Sequence, residues 1–386
     1  MRAEWLLDPA ATYLNHGTVG ATPLRVLRAQ QAIRDQIERH PSRFMLRELN
    51  MAHPTPWRDR SRLREAAAAI AAFLGARADD LVFVPNVTTG INAVLQSIRV
   101  EPGDEIVISE LAYGAVALTA AFVARERRAT LRTLEPPQPP YSRDGFIASF
   151  ASALTPRTRL VLVDHITSQS ALVMPVPEIA ALCRARGVPV LVDGAHAPGS
   201  LAVNITALGA DYYSANLHKW AHAPRSCGVL WVAPGRQHEI RHPIVSWGSG
   251  KGFLQEFDRH ATADPSAYLS APTGVALLEE WDFGAVLEYM HGLAWEGAHL
   301  LARRWDTVFS TPRDMTGALA TVPLPERAGS TETDAERLRL ALLVDDGIEV
   351  QMHAWRGRLW TRISTQIYNE LADIERLAEA VLRRVD

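Results

Sequence analysis

Lysine is nearly missing from this chain: of 40 basic residues among 386, only Lys219 and Lys251 are not arginine. A GC-rich coding bias accounts for the arginines. It leaves two exceptions to be read individually, because an amine can be deprotonated to a nucleophile and a guanidinium cannot. Cysteine is as scarce, with Cys183 and Cys227 alone, which excludes a disulfide framework and any all-cysteine metal cluster and fits a reducing compartment. Charge of one sign is lacking too. A formal net charge of −3 creates no field that draws the protein to nucleic acid or an anionic membrane. Every apolar run is broken by Gly, Pro or charge before it reaches the length of a membrane helix, and Met1 to Asp8 carries no basic segment followed by an apolar stretch, so no signal peptide is expected. The expectation is a soluble, cytoplasmic protein whose 47% hydrophobic residues suffice for a sizeable core.

What the chain does contain is an alternation. Short apolar, β-branched runs lie at 81–84, 105–109, 131–134, 160–163, 190–192, 211–215 and 229–232, most of them separated by helix-length segments such as 89–98, 115–127 and 177–186. An extended entry at 12–14 and helices at 24–39 and 58–74 precede them. Continuous apolar strands alternating with helices predict a three-layer α/β fold, with a mostly parallel sheet of about seven strands covered on both faces. From Pro272 the pattern changes. A long amphipathic helix is expected to begin near Gly274, followed by a Pro-containing segment (311–325), a helix (334–344), a hairpin (348–364) and a closing helix (371–384). The reading is a large α/β domain over 13–275 and a smaller α+β domain over 276–386, with residues 1–12 packing near the latter.

Ligands of open α/β sheets bind beyond the carboxyl ends of the strands, and three polar clusters fall there. In Pro85-Asn86-Val87-Thr88-Thr89-Gly90, hydroxyls and free backbone N–H groups at a helix start suit a phosphate, although a plain helix cap explains them equally. Asp193, in Val192-Asp193-Gly194-Ala195-His196, puts a carboxylate directly after a buried strand, which is costly unless something cationic pairs with it. The protonated ring nitrogen of pyridoxal phosphate is such a partner; a turn-capping Asp is the alternative. Lys219, in Asn216-Leu217-His218-Lys219-Trp220, again follows a strand and can form a Schiff base with an aldehyde cofactor. Lys251, in Gly248-Ser249-Gly250-Lys251-Gly252, reads as a solvated loop charge. No cluster is specific alone; their order along the chain is.

These elements resemble class V of the fold-type-I pyridoxal-phosphate enzymes, in particular the isopenicillin N epimerase-like group. The matching segments are Tyr13-Leu14-Asn15-His16-Gly17, Phe83 to Gly90, Asp164-His165-Ile166-Thr167-Ser168, Val192 to His196, His218-Lys219-Trp220 and Asp264-Pro265-Ser266-Ala267-Tyr268. The resemblance implies that Lys219 carries the cofactor and moves the Cα proton, and that Asp193 keeps the pyridine nitrogen protonated. It implies that His196, helped by Ser168 or Thr167, bonds the phenolic oxygen, and that Thr88, Thr89, Asn216 and His218 hold the phosphate. Tyr113 would stack on the ring, a position where relatives often carry His. Thr262 would reach the phosphate of a partner subunit, making a homodimer with shared sites. Arg362 would bind the substrate carboxylate bidentately, and Asn15 and His16 would fold over the substrate, His16 as a candidate acid or base. No metal site is expected. Gln169-Ser170 and Ala261 depart from the pattern and bear on substrate preference.

The reaction is argued by elimination. A persulfide-forming desulfurase needs a cysteine on a mobile loop of the small domain, yet no Cys follows Cys227, which itself opens an apolar strand. Three outcomes remain: C–S β-elimination from an S-substituted cysteine, epimerisation at Cα, and transamination or decarboxylating deamination. Elimination needs Lys219 as its only base, whereas an epimerase needs His16 or Tyr113 for the opposite face. A C–S lyase of specialised metabolism is therefore the preferred reading. A silent protein with this fold is the non-enzymatic alternative, against which the complete set Lys219, Asp193 and Arg362 argues.

Overall fold

The computed structural model describes residues 1–51 and 53–385. Its strands are β1 (Thr12–Tyr13), β2 (Leu81–Val84), β3 (Glu105–Ser109), β4 (Thr130–Leu134), β5 (Thr158–Asp164), β6 (Val190–Asp193), β7 (Tyr212–Asn216), β8 (Gly228–Val232), β9 (Leu319–Pro323), β10 (Ile348–Glu349), β11 (Gln351–Trp355) and β12 (Arg358–Ser364). β2 to β8 form one seven-stranded sheet in the order β2-β8-β7-β6-β5-β3-β4. β3 to β7 are parallel, and β8 runs antiparallel to both its neighbours. β2 therefore points the same way as β7.

Alternation along the central strands explains why they are continuously apolar. Val161, Val163, Val190 and Val192 enter a core on one face, and Leu160, Leu162 and Leu191 enter another on the opposite face. Side chains of period two feed two hydrophobic layers at once. Helices Arg62–Phe73, Arg143–Ala153 and Val176–Arg184 cover the first face, and Val87–Ser97 and Gly114–Glu126 the second. The three-layer architecture expected from the sequence is the one observed.

A separate core lies under the small antiparallel sheet β11-β12-β9. The single long helix expected from Gly274 is two helices, Ser266–Glu280 and Phe283–Arg304. Asp282 breaks them apart. Its backbone is left-handed (φ 60°) and its carboxylate caps the second helix through the amide of Ala285, as a short polar side chain can do where others are strained. The first helix contains Pro272 and packs in the large core; the second contributes Leu293, Ala294 and Ala298 to the small one. β1 pairs in parallel with β10, and Leu14 is buried in the small core. The Pro-containing segment 311–325 holds β9, a strand not foreseen. A bridging cluster that includes Trp220, Leu278, Met290 and Leu319 joins the two units, directly behind Lys219. Among the described residues, no helix is long and apolar enough to cross a membrane.

Candidate active site

The ends of β5, β6 and β7 meet at one sheet edge, with Asp164 opposite Asp193 and Asp193 opposite Ser214. β2 opens at the same edge into helix Val87–Ser97. Asn86 caps that helix by accepting from the amide of Thr89 at 2.9 Å, and Asn216 Oδ1 accepts from the amide of Val87 at 2.9 Å. The end of β7 thus fixes where the helix begins, and Thr88 in its first turn lines the cleft. The cleft holds about 680 Å³, including space open to solvent, and its walls include Thr88, Tyr113, Asp193, His196, Ser168 and Lys219.

Lys219 is held from both sides of the chain. Trp220 is fully buried in the bridging cluster, the Lys219 carbonyl is 2.9 Å from His16 Nε2, and the amides of Leu217 and His218 donate to the carbonyl of Cys227. Gly20 passes so close that a Cβ there would stand 2.1 Å from the carbonyl oxygen of His218, and its φ is +70°; only glycine fits. The amine reaches 3.2 Å from His196 Nε2. Burial, reinforced by the Arg362 charge and opposed by Asp193, pulls it down to about 7. A large share of the amine is therefore unprotonated near neutral pH, as a nucleophile and base require.

Asp193 is buried and accepts from the amide of Ala195 at 2.9 Å; burial lifts its carboxyl to about 6. Asp164, beside it, is raised well above the carboxylate range by burial and then by the charge of Asp193. Two buried carboxyls in contact register share one negative charge, and an added cation at Asp193 would hold that charge there. His196 is driven far down by burial, and its Nδ1 has no partner.

Arg362, on β12, is 3% exposed. Nη1 donates to the carbonyl of Ser168 at 2.6 Å, and Nη2 to Thr18 Oγ1 at 2.8 Å and Asn15 Oδ1 at 3.4 Å; Nε has no partner. All these acceptors are neutral. Burial lowers the guanidinium to about 10, so it stays charged and leaves its charge for an incoming anion.

The remaining expected residues separate into groups. Thr88, Ser168, Asn216 and His218 line the cleft, as does Tyr113, which is 49% exposed at the start of helix Gly114–Glu126. Thr89 lies outside the lining and donates its hydroxyl to Asn86. Thr167 is 1% exposed with its hydroxyl on Ser170 and the amide of Leu172, so it shapes a turn rather than facing the cleft. His16 is fully buried behind Lys219 with Nδ1 on Tyr368 and Nε2 on the Lys219 carbonyl; the acid, base or substrate role expected of it has no free nitrogen to act through. Asn15 bonds Glu349 and steadies Arg362 instead of covering the cleft. Thr262 is exposed on this chain, as is Lys251. Of the polar lining, Thr18, Asn86 and Asp164 were not among the expected site residues. Asp164 ends an apolar strand just as Asp193 does, and the same signal finds it; Thr18 carries no such mark.

A buried carboxyl seeking a cation, a reactive amine, a helix start with a hydroxyl and a buried guanidinium match the ring nitrogen, aldehyde and phosphate of pyridoxal phosphate and the carboxylate of an amino acid. The orphaned Nδ1 of His196 and the paired carboxyls Asp164 and Asp193 are what such a group would complete.

Residues 20–377 match the aminotransferase class-V family. The isopenicillin N epimerase of Streptomyces clavuligerus is 30% identical, over 98% of this chain and 96% of its own. An L-cysteine desulfhydrase of Arabidopsis thaliana is 30% identical, over 96% of this chain and 87% of its own. Among solved structures, the cystine C–S lyase C-DES in complex with its product cysteine persulfide superposes with a TM-score of 0.78 at 22% identity, covering 96% of this chain and 97% of the other. The fold is thus the one expected from the sequence.

Proposed function

The chain belongs to the class-V aminotransferase family, and on that footing we propose that it is a pyridoxal-phosphate enzyme that releases a thiol from an S-substituted L-cysteine by β-elimination. Bound at Lys219, the cofactor supplies an electron sink for negative charge at Cα. Asp193 holds the ring nitrogen protonated, Thr88 and the start of helix Val87–Ser97 receive the phosphate, and Arg362 orients the substrate through its carboxylate. Lys219 takes the Cα proton, the Cβ–S bond breaks, and the departing thiolate takes up a proton. The three-carbon remainder, 2-aminoacrylate, hydrolyses with one water to pyruvate and ammonium.

One observation carries this reading. Lys219 is the one amine lining the cleft and burial brings it near neutrality, while His16, the candidate for the opposite face, has both ring nitrogens engaged. A single base suffices for elimination and not for epimerisation. Cys183 and Cys227 are buried, and burial pushes both thiols up, so neither is suited to carry a persulfide. The similarity to an L-cysteine desulfhydrase supports C–S cleavage. Epimerisation is the second reading, favoured by Tyr113, which lines the cleft and is half exposed. We further place the enzyme in the cytoplasm and in specialised metabolism. We assign it a homodimeric state, in which Thr262 and the exposed apolar loop of Ile244, Val245 and Trp247 meet a second copy.

Incubation of the holoenzyme with S-methyl-L-cysteine tests the proposal: pyruvate and methanethiol should appear in equal amounts. Solvent deuterium entering Cα with racemisation and no pyruvate would overturn it in favour of the epimerase.

A further inference from the structure

A second pocket, of about 630 Å³ including space open to solvent, adjoins the cofactor cleft at the Ser168–Ser170 turn. Ser168 lines the cleft, whereas Gln169 and Ser170 line the second cavity. The two therefore adjoin at this turn, where Arg362 donates to the carbonyl of Ser168. The turn is braced from below, since Thr321 donates to the carbonyl of Gln169 at 2.6 Å and Ser170 bonds Thr167 at 2.7 Å.

The small sheet builds the opposite wall. Arg362 and Trp360 are two apart on β12 and share a face. On that same face Trp360 stands across from His353, and Arg362 across from Thr321. The guanidinium expected to seat a carboxylate therefore continues directly into a wall of Trp360, His353 and Trp355. The two indoles meet edge to face at 5.7 Å, and Arg356 lies over Trp355 while pairing with Glu110. Glu110, the lining carboxylate, is thus paired, and no lining side chain is a cation.

His353 lines the pocket as an uncharged ring. It is 4% exposed, and its Nδ1 has no partner. Burial, then the Arg362 charge, drives it down to about 4, so the ring adds no charge to the pocket.

We propose that this cavity receives the sulfur substituent of the substrate, and that the substituent is a neutral aromatic or aralkyl group. The inference rests on the C–S lyase reading and names its substrate class. An aromatic ring finds Trp355, Trp360 and Tyr141 as partners, while cysteine itself would leave the cavity empty. Gln169 and Ser170, which depart from the family pattern, form the near wall.

Two measurements on the holoenzyme test it. Calorimetry with 3-(benzylthio)propionate and 3-(methylthio)propionate, which carry the carboxylate but no amine and cannot react, should show the benzyl compound binding about 10- to 100-fold tighter, the gain from burying one phenyl ring. Trp360→Ala, and Ser310→Phe, which fills the cavity from its rim, should each abolish that advantage while affinity for the methyl compound stays unchanged. In turnover, kcat/KM for S-benzyl-L-cysteine should exceed that for S-methyl-L-cysteine. Equal binding of the two propionates, or equal losses for both in the variants, would overturn the cavity assignment. If no cysteine derivative releases thiol and the benzyl preference in binding persists, the lyase reading fails and the cavity assignment stands.

Discussion

The amine of Lys219 and the Nε2 of His196 stand 3.2 Å apart, two bases in contact that burial drives toward their neutral forms. Such a pair can share a proton but cannot hold two. It follows that capture of pyridoxal phosphate by the apoenzyme should follow a midpoint near pH 7, where Lys219 loses its proton, rather than the ordinary lysine range. Asp193 pulls the midpoint up and Arg362 pulls it down. Stopped-flow absorbance over pH 5–10 reads it; a midpoint above 9 would show that the amine is solvated.

Asp164 and Asp193 should respond differently to the same substitution. Both lie buried at facing strand ends, but Asp164 is the more strongly raised and so the protonated member. Asp164→Asn replaces a neutral carboxyl by a neutral amide, and activity is expected to fall by no more than a few-fold. Asp193→Asn removes the charge that a ring nitrogen needs, and kcat should fall by about 100-fold or more, the scale for losing one preorganised electrostatic partner. Steady-state kinetics on both variants checks the contrast. Equal losses would mean the ring nitrogen sits between them.

Arg362 donates only to neutral oxygens. Its removal should therefore raise KM for any amino-acid substrate, by roughly 2–5 kcal/mol in kcat/KM if the charge pair is fully desolvated. Arg362→Lys should recover little, because an ammonium cannot reproduce a bidentate fork. Cofactor absorbance should be unaffected in both variants. Loss of the cofactor together with substrate affinity would mean that Arg362 supports the fold of the cleft instead.

Much of this site is written locally. Asp193 closes a strand that is otherwise apolar, as Asp164 does, and Lys219 lies just beyond the buried strand β7, so polar residues there are placed for a ligand edge or a cap. Residues whose role depends on where one hydrogen bond goes are not legible in that way. Thr88 faces the cleft and Thr89 turns to Asn86, though the two are adjacent and identical. Thr167 reads like Ser168 but spends its hydroxyl on the turn beneath the second cavity. That cavity is hardest to see, because Leu111, Ser170, Thr321 and Trp360 share no stretch of sequence; only the packing of the two units brings them together. β9 was hidden for a related reason. Its apolar residues sit among prolines, and pairing with β12, not local propensity, makes them a strand.

His16 offers the sharpest test of structural against catalytic duty. Its Nε2 faces the Lys219 carbonyl, which can only accept, so Nε2 carries the proton and Nδ1 accepts from the Tyr368 hydroxyl, both at 2.9 Å. Burial lowers the ring to about 4 from an ordinary 6.5. The unfolded chain thus binds more protons than the folded one between these values, and the stability gained from a neutral His16 is complete above pH 6.5 and lost as pH falls toward 4. His165 and His218, also lowered to about 4 by burial, lose theirs in the same window. His16→Asn should cost about 1–3 kcal/mol at pH 7 and flatten the fall in stability between pH 6.5 and 4, measured by urea unfolding at several pH values. Thiol release should remain within about an order of magnitude of the parent rate, because the lysine is shifted and not removed. A collapse of kcat at unchanged stability would return His16 to the chemistry, and with it the second base that epimerisation requires.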